Sequence, residues 1–123
     1  MGLNVLIVDD SIAIRMILGR ALHKTNLPVD RVFEAGDGCA ALEILKTETI
    51  NVILSDINMP NMDGMQLLAE LKSNDQWTQV PVLMISTESS QTKVMEALRL
   101  GAKGFIRKPF EPDQIQDKLA SFL

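Results

Sequence analysis

The chain has 123 residues, a hydrophobic fraction of 46%, and 12 basic against 16 acidic residues, for a net charge of −4. This length predicts one domain, over residues 1–123, and the hydrophobic fraction excludes a disordered chain. The acidic balance disfavours a nucleic-acid surface, and the apolar runs are too short to span a membrane. The single cysteine, Cys39, excludes an internal disulfide, so we expect a cytoplasmic protein.

Short apolar runs predict five strands. In chain order they cover residues 3–8, 29–35, 50–54, 80–85 and 104–108. The first, third and fourth runs are almost wholly apolar and rich in β-branched residues, which is typical of strands buried on both faces of a parallel sheet. The second and fifth runs carry charges, so we expect these two strands at the edges.

Apolar residues at helical spacing predict a helix after each strand. The helix boundaries are marked by capping residues, a glycine and a proline. These are Asp10 or Ser11 before the first helix, Asp63 before the third, Ser89 or Ser90 before the fourth, Gly101 after the fourth, and Pro112 in the first turn of the fifth.

This alternation predicts the fold. Five strands and five helices in turn indicate an α/β protein with a doubly wound parallel sheet covered on both faces. With the second and fifth strands at the edges, right-handed crossovers favour the strand order 2-1-3-4-5. In that order the winding reverses between the first and third strands, which opens a crevice at their carboxyl ends.

Acidic residues end those two strands. Asp9 and Asp10 follow the first strand, and Asp56 follows the third. Three carboxylates in one crevice repel each other unless a cation neutralises them. Because oxygen ligands without cysteine or histidine favour a hard cation, the sequence predicts a site for Mg²⁺, with Mn²⁺ as the alternative.

The fourth and fifth strands end in other functional groups. Ser86 and Thr87 offer hydroxyl groups at the end of the fourth strand, and Lys108 offers an ammonium group at the end of the fifth. Carboxylates, a hydroxyl and a lysine around a metal ion form a suitable cradle for a phosphoryl group.

With these residues in view, the chain resembles response-regulator receiver domains, most of all those of the stand-alone chemotaxis type. The resemblance covers essentially the whole chain and rests on four motifs in the right order. They are VLIVDDS at residues 5–11, SDINMPNMDG at 55–64, MISTE at 84–88 and GAKGFIRKPF at 101–110. It implies a flavodoxin-like three-layer sandwich, whose strand order is already known for this family, and a phosphorylation switch.

The resemblance assigns roles to the acidic residues. It implies that Asp56 is the nucleophile that accepts a phosphoryl group from a phosphohistidine on a histidine kinase. Asp9 and Asp10 would hold Mg²⁺ together with Asp56 and the backbone carbonyl of Asn58. Asn58 also matches a position that tunes how fast the phosphoryl group is lost.

Five further residues match the family's switch and tuning positions. Ser86 would hydrogen-bond the phosphoryl group, and Lys108 would pair with its charge. Phe105 would turn inward on activation. Thr87, where the family often has a smaller residue, would narrow access to the acceptor, and Glu88 would tune hydrolysis.

The resemblance also predicts how the signal leaves the domain. The output surface would lie on the fourth helix, fifth strand and fifth helix of a monomer. Candidate contacts are Lys93, Val94, Ala97, Phe105, Arg107 and Lys118. The leading target is a flagellar motor switch protein, and a kinase or another regulator is the runner-up.

Other classes of function remain open from the residues. The chain could be a receiver cut from a longer regulator. A receiver that docks without phosphorylation is disfavoured by the complete set of acids, Ser86 and Lys108. A magnesium-dependent phosphatase with an aspartate nucleophile would use similar chemistry. A nucleotide-binding protein is disfavoured, since no G-x-x-x-x-G-K-[ST] loop follows the first strand. We therefore expect a switch with self-catalysed phosphotransfer rather than an ordinary enzyme.

Overall fold

The computed structural model describes residues 2–88 and 90–123. The strands are β1 Leu3–Val8, β2 Val29–Ala35, β3 Val52–Ser55, β4 Val82–Ser86 and β5 Gly104–Arg107. The helices are α1 Ile12–His23, α2 Gly38–Thr47, α3 Gly64–Lys72, α4 Gln91–Arg99 and α5 Pro112–Ala120. The strands form one parallel sheet in the order β2-β1-β3-β4-β5, which confirms the predicted fold and strand order. Across the described ranges, no helix is both long and apolar enough to cross a membrane.

The third and fourth strands begin two residues later than predicted. Val80 donates its N–H to the Trp77 carbonyl, so a turn rather than the sheet takes up its hydrogen bond. Pro81 has no N–H to donate, but its carbonyl accepts the first bond from Ile53. The sequence prediction began these strands too early because apolar residues just outside the hydrogen-bonded ladder, such as Ile50, are also buried.

The core consists of two apolar layers, one on each face of the sheet. Alternate residues of β1 belong to opposite layers, as expected for side chains that alternate across a strand. Helices α1 and α5 cover one face, and α2, α3 and α4 cover the other. The sheet is therefore dry on both faces, and its carboxyl edge is left for polar chemistry.

The capping residues behave largely as the sequence predicted. Ser11 caps α1, since its hydroxyl accepts a 3.2 Å bond from the Ile14 N–H, so Asp10 is not needed as the cap. Asp63 forms a capping box with Gln66 at the start of α3, and Ser90 caps α4. The alternative cap, Ser89, lies outside the described residues.

Two further boundaries of helices follow the sequence prediction. Gly101 has a φ of +112°, a left-handed value that glycine adopts without a steric cost, and it follows the C-cap of α4. Pro112 is the first residue of α5, where its missing N–H has no intrahelical partner to lose.

The register of the sheet brings its polar ends to one level. Val8 at the end of β1 lies beside Ser55 at the end of β3, and Ser86 at the end of β4 lies beside Arg107 at the end of β5. The residues that follow, Asp9 and Asp56, therefore leave neighbouring strands side by side. The predicted crevice lies at this edge.

Candidate functional site

Three carboxylates meet at the carboxyl ends of β1 and β3, and we call Asp9, Asp10 and Asp56 the acidic crevice. One oxygen from each side chain lies within 4.8 Å of the other two. Asp9 and Asp56 are buried, with 1% and 9% of their surfaces exposed, whereas Asp10 is exposed. The crevice is therefore dry on one side and open to solvent on the other.

Lys108, which directly follows β5, supplies a positive charge to the crevice. Its Nζ donates to Asp9 Oδ2 at 2.7 Å and to Asp56 Oδ2 at 3.2 Å. The side chain of Lys108 is only 12% exposed. In this structure the lysine thus forms ion pairs with two acids, whereas the sequence predicted only that it would face a phosphoryl group.

The surroundings of Lys108 act on its pKa in opposite directions. Burial alone would lower the pKa, because it penalises the charged ammonium. The hydrogen bonds and negative charges of Asp9 and Asp56 outweigh burial and raise the pKa of Lys108 above its usual value of 10.5. Lys108 therefore stays fully charged at neutral pH.

Backbone N–H groups hold the other carboxylate oxygens. Asp9 Oδ1 accepts a 2.9 Å bond from the Ser11 N–H, and Asp56 Oδ1 accepts a 2.7 Å bond from the Ile57 N–H. Each buried acid is thus held by the backbone through one oxygen and by Lys108 through the other. This arrangement aligns both carboxylates without using Asp10.

The hydroxyl predicted from strand four lies at the end of β4. Ser86 is fully buried, and its Oγ accepts a 3.2 Å bond from the Glu88 N–H. The carboxylate of Glu88 accepts from the Ser90 N–H at 3.0 Å and lies 3.7 Å from Lys93 Nζ. A short chain of polar contacts therefore joins Ser86 to the first turn of α4. Thr87 is exposed.

The structure contradicts the predicted list of surface contacts at one residue. Ala97 was expected as a contact, but it is only 1% exposed and belongs to the core layer beneath α4. Its small size lets α4 pack closely on the sheet. Among the other candidates, Lys93, Arg107 and Lys118 are exposed, and Phe105 is half-buried against the same core layer.

The sequence reasoning missed two residues that shape the site. A Cβ at Gly64 would collide with the Asp56 carbonyl oxygen, so the start of α3 can approach Asp56 this closely only with glycine. Arg15 donates to the carbonyl oxygen of Asp9 at 2.6 Å. The available signals were the glycine directly after the predicted cap Asp63 and an arginine in the first half of α1, close to the acidic end of β1.

The donor set fits a hard divalent cation. All three ligand groups are carboxylates, which Mg²⁺ and Mn²⁺ prefer to nitrogen or sulfur. The exposed Asp10 leaves one side of the crevice to water, and Mg²⁺ usually keeps several waters. Asn58, whose carbonyl was predicted as a further ligand, is exposed two residues after Asp56.

Comparison with known proteins gives a consistent result. The profile of the response regulator receiver domain family matches residues 5–120. A chemotaxis protein CheY homologue of Campylobacter jejuni is 35% identical over 122 residues, which are 98% of this chain and 92% of that protein.

Solved structures agree in fold. The crystal structure of chemotaxis protein CheY4 of Vibrio cholerae has a TM-score of 0.89 and 35% identity, with all of both chains covered. A chain of the CheX–CheY–BeF3–Mg²⁺ complex from Borrelia burgdorferi has a TM-score of 0.87 and 31% identity, over 97% of this chain and 87% of that one.

Proposed function

The chain belongs to the response regulator receiver domain family, and from this membership we propose that it is a phosphorylation switch whose acceptor is Asp56. Its relatives are CheY-type chemotaxis response regulators, which are signalling proteins rather than classical enzymes. The observation that carries the proposal is the bridge of Lys108 between Asp9 and Asp56. It joins an acceptor carboxylate, a second acid and a cation at one edge of the sheet.

The proposed reaction is the transfer of a phosphoryl group from a phosphohistidine on a histidine kinase. A carboxylate oxygen of Asp56 attacks phosphorus, the bond between phosphorus and the imidazole nitrogen breaks, and the imidazole leaves. Asp56 is held ready for this step by the Ile57 N–H on Oδ1. Water then slowly attacks phosphorus, the bond between phosphorus and the Asp56 oxygen breaks, and inorganic phosphate leaves as the aspartate is restored.

The proposed metal ligands are Asp9, Asp10, Asp56 and the backbone carbonyl of Asn58. Mg²⁺, or Mn²⁺ in its place, would neutralise the charge on the oxygens of the transferring group. The B. burgdorferi relative, solved in a complex that contains BeF3 and Mg²⁺, supports this assignment. A cation bound by Asp9 and Asp56 would share these carboxylates with Lys108.

The proposed phosphoryl contacts are Lys108 and Ser86. An ammonium makes a charge-assisted bond to a phosphoryl oxygen, and the Ser86 hydroxyl would turn toward the same group. That movement would release the Glu88 N–H from Ser86 Oγ. Because Glu88 also contacts Ser90 and Lys93, the change would reach the start of α4. Thr87, Glu88 and Asn58 would tune how long the phosphoryl group stays on Asp56.

The proposed output surface lies on α4, β5 and α5 and would act on a flagellar motor switch protein. Its charged contacts would be Lys93, Arg107 and Lys118, which are exposed. Phe105, which is half-buried, would turn inward on activation and so change this surface. We propose that residues 1–123 act together as the receiver domain. The expected compartment is the cytoplasm, where Cys39 stays reduced.

The test is phosphorylation by acetyl phosphate and Mg²⁺, followed by intact-mass measurement. Wild type should gain one phosphoryl group, and Asp56→Asn should gain none. Asp63→Asn is the matched control, because asparagine keeps the cap of α3 and this acid lies outside the acidic crevice. Borohydride reduction should convert only Asp56 to homoserine. Equal labelling of wild type and Asp56→Asn would refute the proposed acceptor.

A further inference from the structure

Arg15 links three elements of the fold next to the acidic crevice. It lies in α1, and its side chain is only 15% exposed. Its Nη1 donates to the carbonyl oxygen of Asp9 at 2.6 Å, and its Nε donates to Glu34 Oε1 of β2 at 2.9 Å. One guanidinium therefore connects α1, β2 and the end of β1.

The bond from Arg15 to the Asp9 carbonyl also affects the backbone orientation of Asp10. That oxygen belongs to the peptide unit joining Asp9 to Asp10, and a peptide unit is planar. A bond that fixes its carbonyl therefore also fixes the direction in which the backbone enters Asp10. Because the Asp9 N–H already donates to the Ala35 carbonyl at 3.0 Å, the chain is held on both sides of Asp9.

The second bond, to Glu34, orients the guanidinium. Glu34 is 46% exposed, so the ion pair itself contributes little to stability. Its role is geometric: a planar guanidinium with one N–H committed to Glu34 must direct its remaining donors elsewhere. Lysine has no such rigid fork and cannot hold both acceptors in the same way.

We infer that Arg15 is a positioning residue of the divalent-cation site, which fixes the Asp9–Asp10 peptide so that both carboxylates face Asp56. The inference rests on the proposed function, because it requires a cation in the acidic crevice. Arg15 touches the backbone of one ligand and acts on the metal only through that backbone.

The charge of Arg15 makes the inference easy to test, because a charge effect and a positioning effect predict opposite changes in cation affinity when Arg15 is removed. If Arg15 acted only by its charge, its removal would reduce repulsion and tighten cation binding. If Arg15 positions the ligands, its removal weakens cation binding in spite of the lower repulsion. Loss of an outer contact to a metal ligand typically lowers affinity about 10- to 100-fold.

The experiment is calorimetric titration with Mg²⁺ of wild type, Arg15→Met and Arg15→Lys. We expect about tenfold weaker binding in Arg15→Met and an intermediate loss in Arg15→Lys, which keeps the charge. Arg31→Met is the matched control: Arg31 pairs with Asn4 near the start of β1, at the opposite end of the strand from the crevice, and its guanidinium lies over the Phe33 ring. It removes the same charge and should bind Mg²⁺ like wild type.

A double-mutant cycle separates positioning from a general loss of stability. In an Asp10→Ala background, Arg15→Met should change Mg²⁺ affinity less than in wild type, because one of the two ligands that it orients is gone. Unchanged or tighter binding in Arg15→Met, or an equal loss in both backgrounds, would overturn the inference. A wild type that binds no Mg²⁺ would instead refute the proposed cation site, and the role of Arg15 with it.

Discussion

Lys108 bridges Asp9 and Asp56: its Nζ lies 2.7 Å from Oδ2 of the first and 3.2 Å from Oδ2 of the second. The bridge joins the ends of β1, β3 and β5, three strands of which only β1 and β3 are neighbours. A lysine in this place serves as the counterion of two buried acids. A divalent cation in the acidic crevice would have to compete with it for these carboxylates.

Removing Lys108 should destabilise the protein and tighten metal binding. Lys108→Met leaves two buried carboxylates without their cation, and breaking such a pair costs about 3 kcal/mol in unfolding free energy. Mg²⁺ should bind this variant more tightly than wild type and recover much of the lost stability, since a ligand of the folded state stabilises it. Urea unfolding with and without Mg²⁺ measures both effects.

The control for that experiment is Lys46→Met. Lys46 forms an exposed pair with Glu43 at 3.2 Å, which is worth about 0.5 kcal/mol or less. An equal loss of stability in the two variants would mean that the Lys108 bridge is no stronger than a surface pair. Weaker Mg²⁺ binding in Lys108→Met would contradict the predicted competition.

The stability provided by Lys108 should disappear at high pH. Its pKa is raised in the folded state, so its contribution is complete below the unfolded value of 10.5 and is lost as pH rises through the folded pKa. The difference in unfolding free energy between wild type and Lys108→Met should therefore be constant near neutral pH and shrink above that value. The chain has no tyrosine whose ionisation would obscure this range.

Lys72 should show the opposite pH dependence. Burial, and then the charge of Lys103, lowers the pKa of Lys72 in the folded state. The unfolded chain therefore binds the proton more tightly, and wild type should gain stability relative to Lys72→Met as pH rises toward 10.5. Urea unfolding of wild type and Lys72→Met, over the pH range used for Lys108→Met, measures this gain. If the difference in unfolding free energy from wild type changed with pH in the same direction for both variants, both predictions would be contradicted.

Two Gly→Ala substitutions should change stability in opposite directions. In Gly64→Ala the new methyl group meets the Asp56 carbonyl oxygen, and such overpacking costs about 1–3 kcal/mol. In Gly19→Ala, within α1, the methyl group has no neighbour within 4 Å, and alanine in a helix gains up to about 1 kcal/mol. Urea unfolding compares the two variants, and a harmless Gly64→Ala would show that α3 can move away from Asp56.

Ser86→Ala should separate phosphorylation from transmission. It removes the hydroxyl that accepts from the Glu88 N–H, but leaves Asp56 and its backbone bond intact. The variant should still accept a phosphoryl group, as judged by intact mass. Fluorine NMR of fluorinated phenylalanine should show a Phe105 shift with beryllofluoride in wild type and a much smaller one in Ser86→Ala. An equal shift in both would exclude Ser86 from the switch.

Much of the fold and of the candidate site could be predicted from the sequence. The apolar runs specified five strands, and the charges in the runs that form β2 and β5 assigned these strands to the edges. Parallel strands present their carboxyl ends at one edge, so Asp9 and Asp56 had to meet once the strand order was known. Periodicity and topology are properties of short segments and of their order, and both can be derived from residue types alone.

Only the tertiary structure decided which groups touch. Lys108 and Asp9 are 99 residues apart in the chain, and no local pattern indicates that this lysine contacts two acids. The burial of Ala97 and the bond of Arg15 to the Asp9 carbonyl likewise depend on how closely α4 and α1 pack on the sheet. Such contacts depend on differences of a few ångströms between distant segments. A residue's type restricts the bonds that it can make, but the packing of helices on the sheet selects the partner.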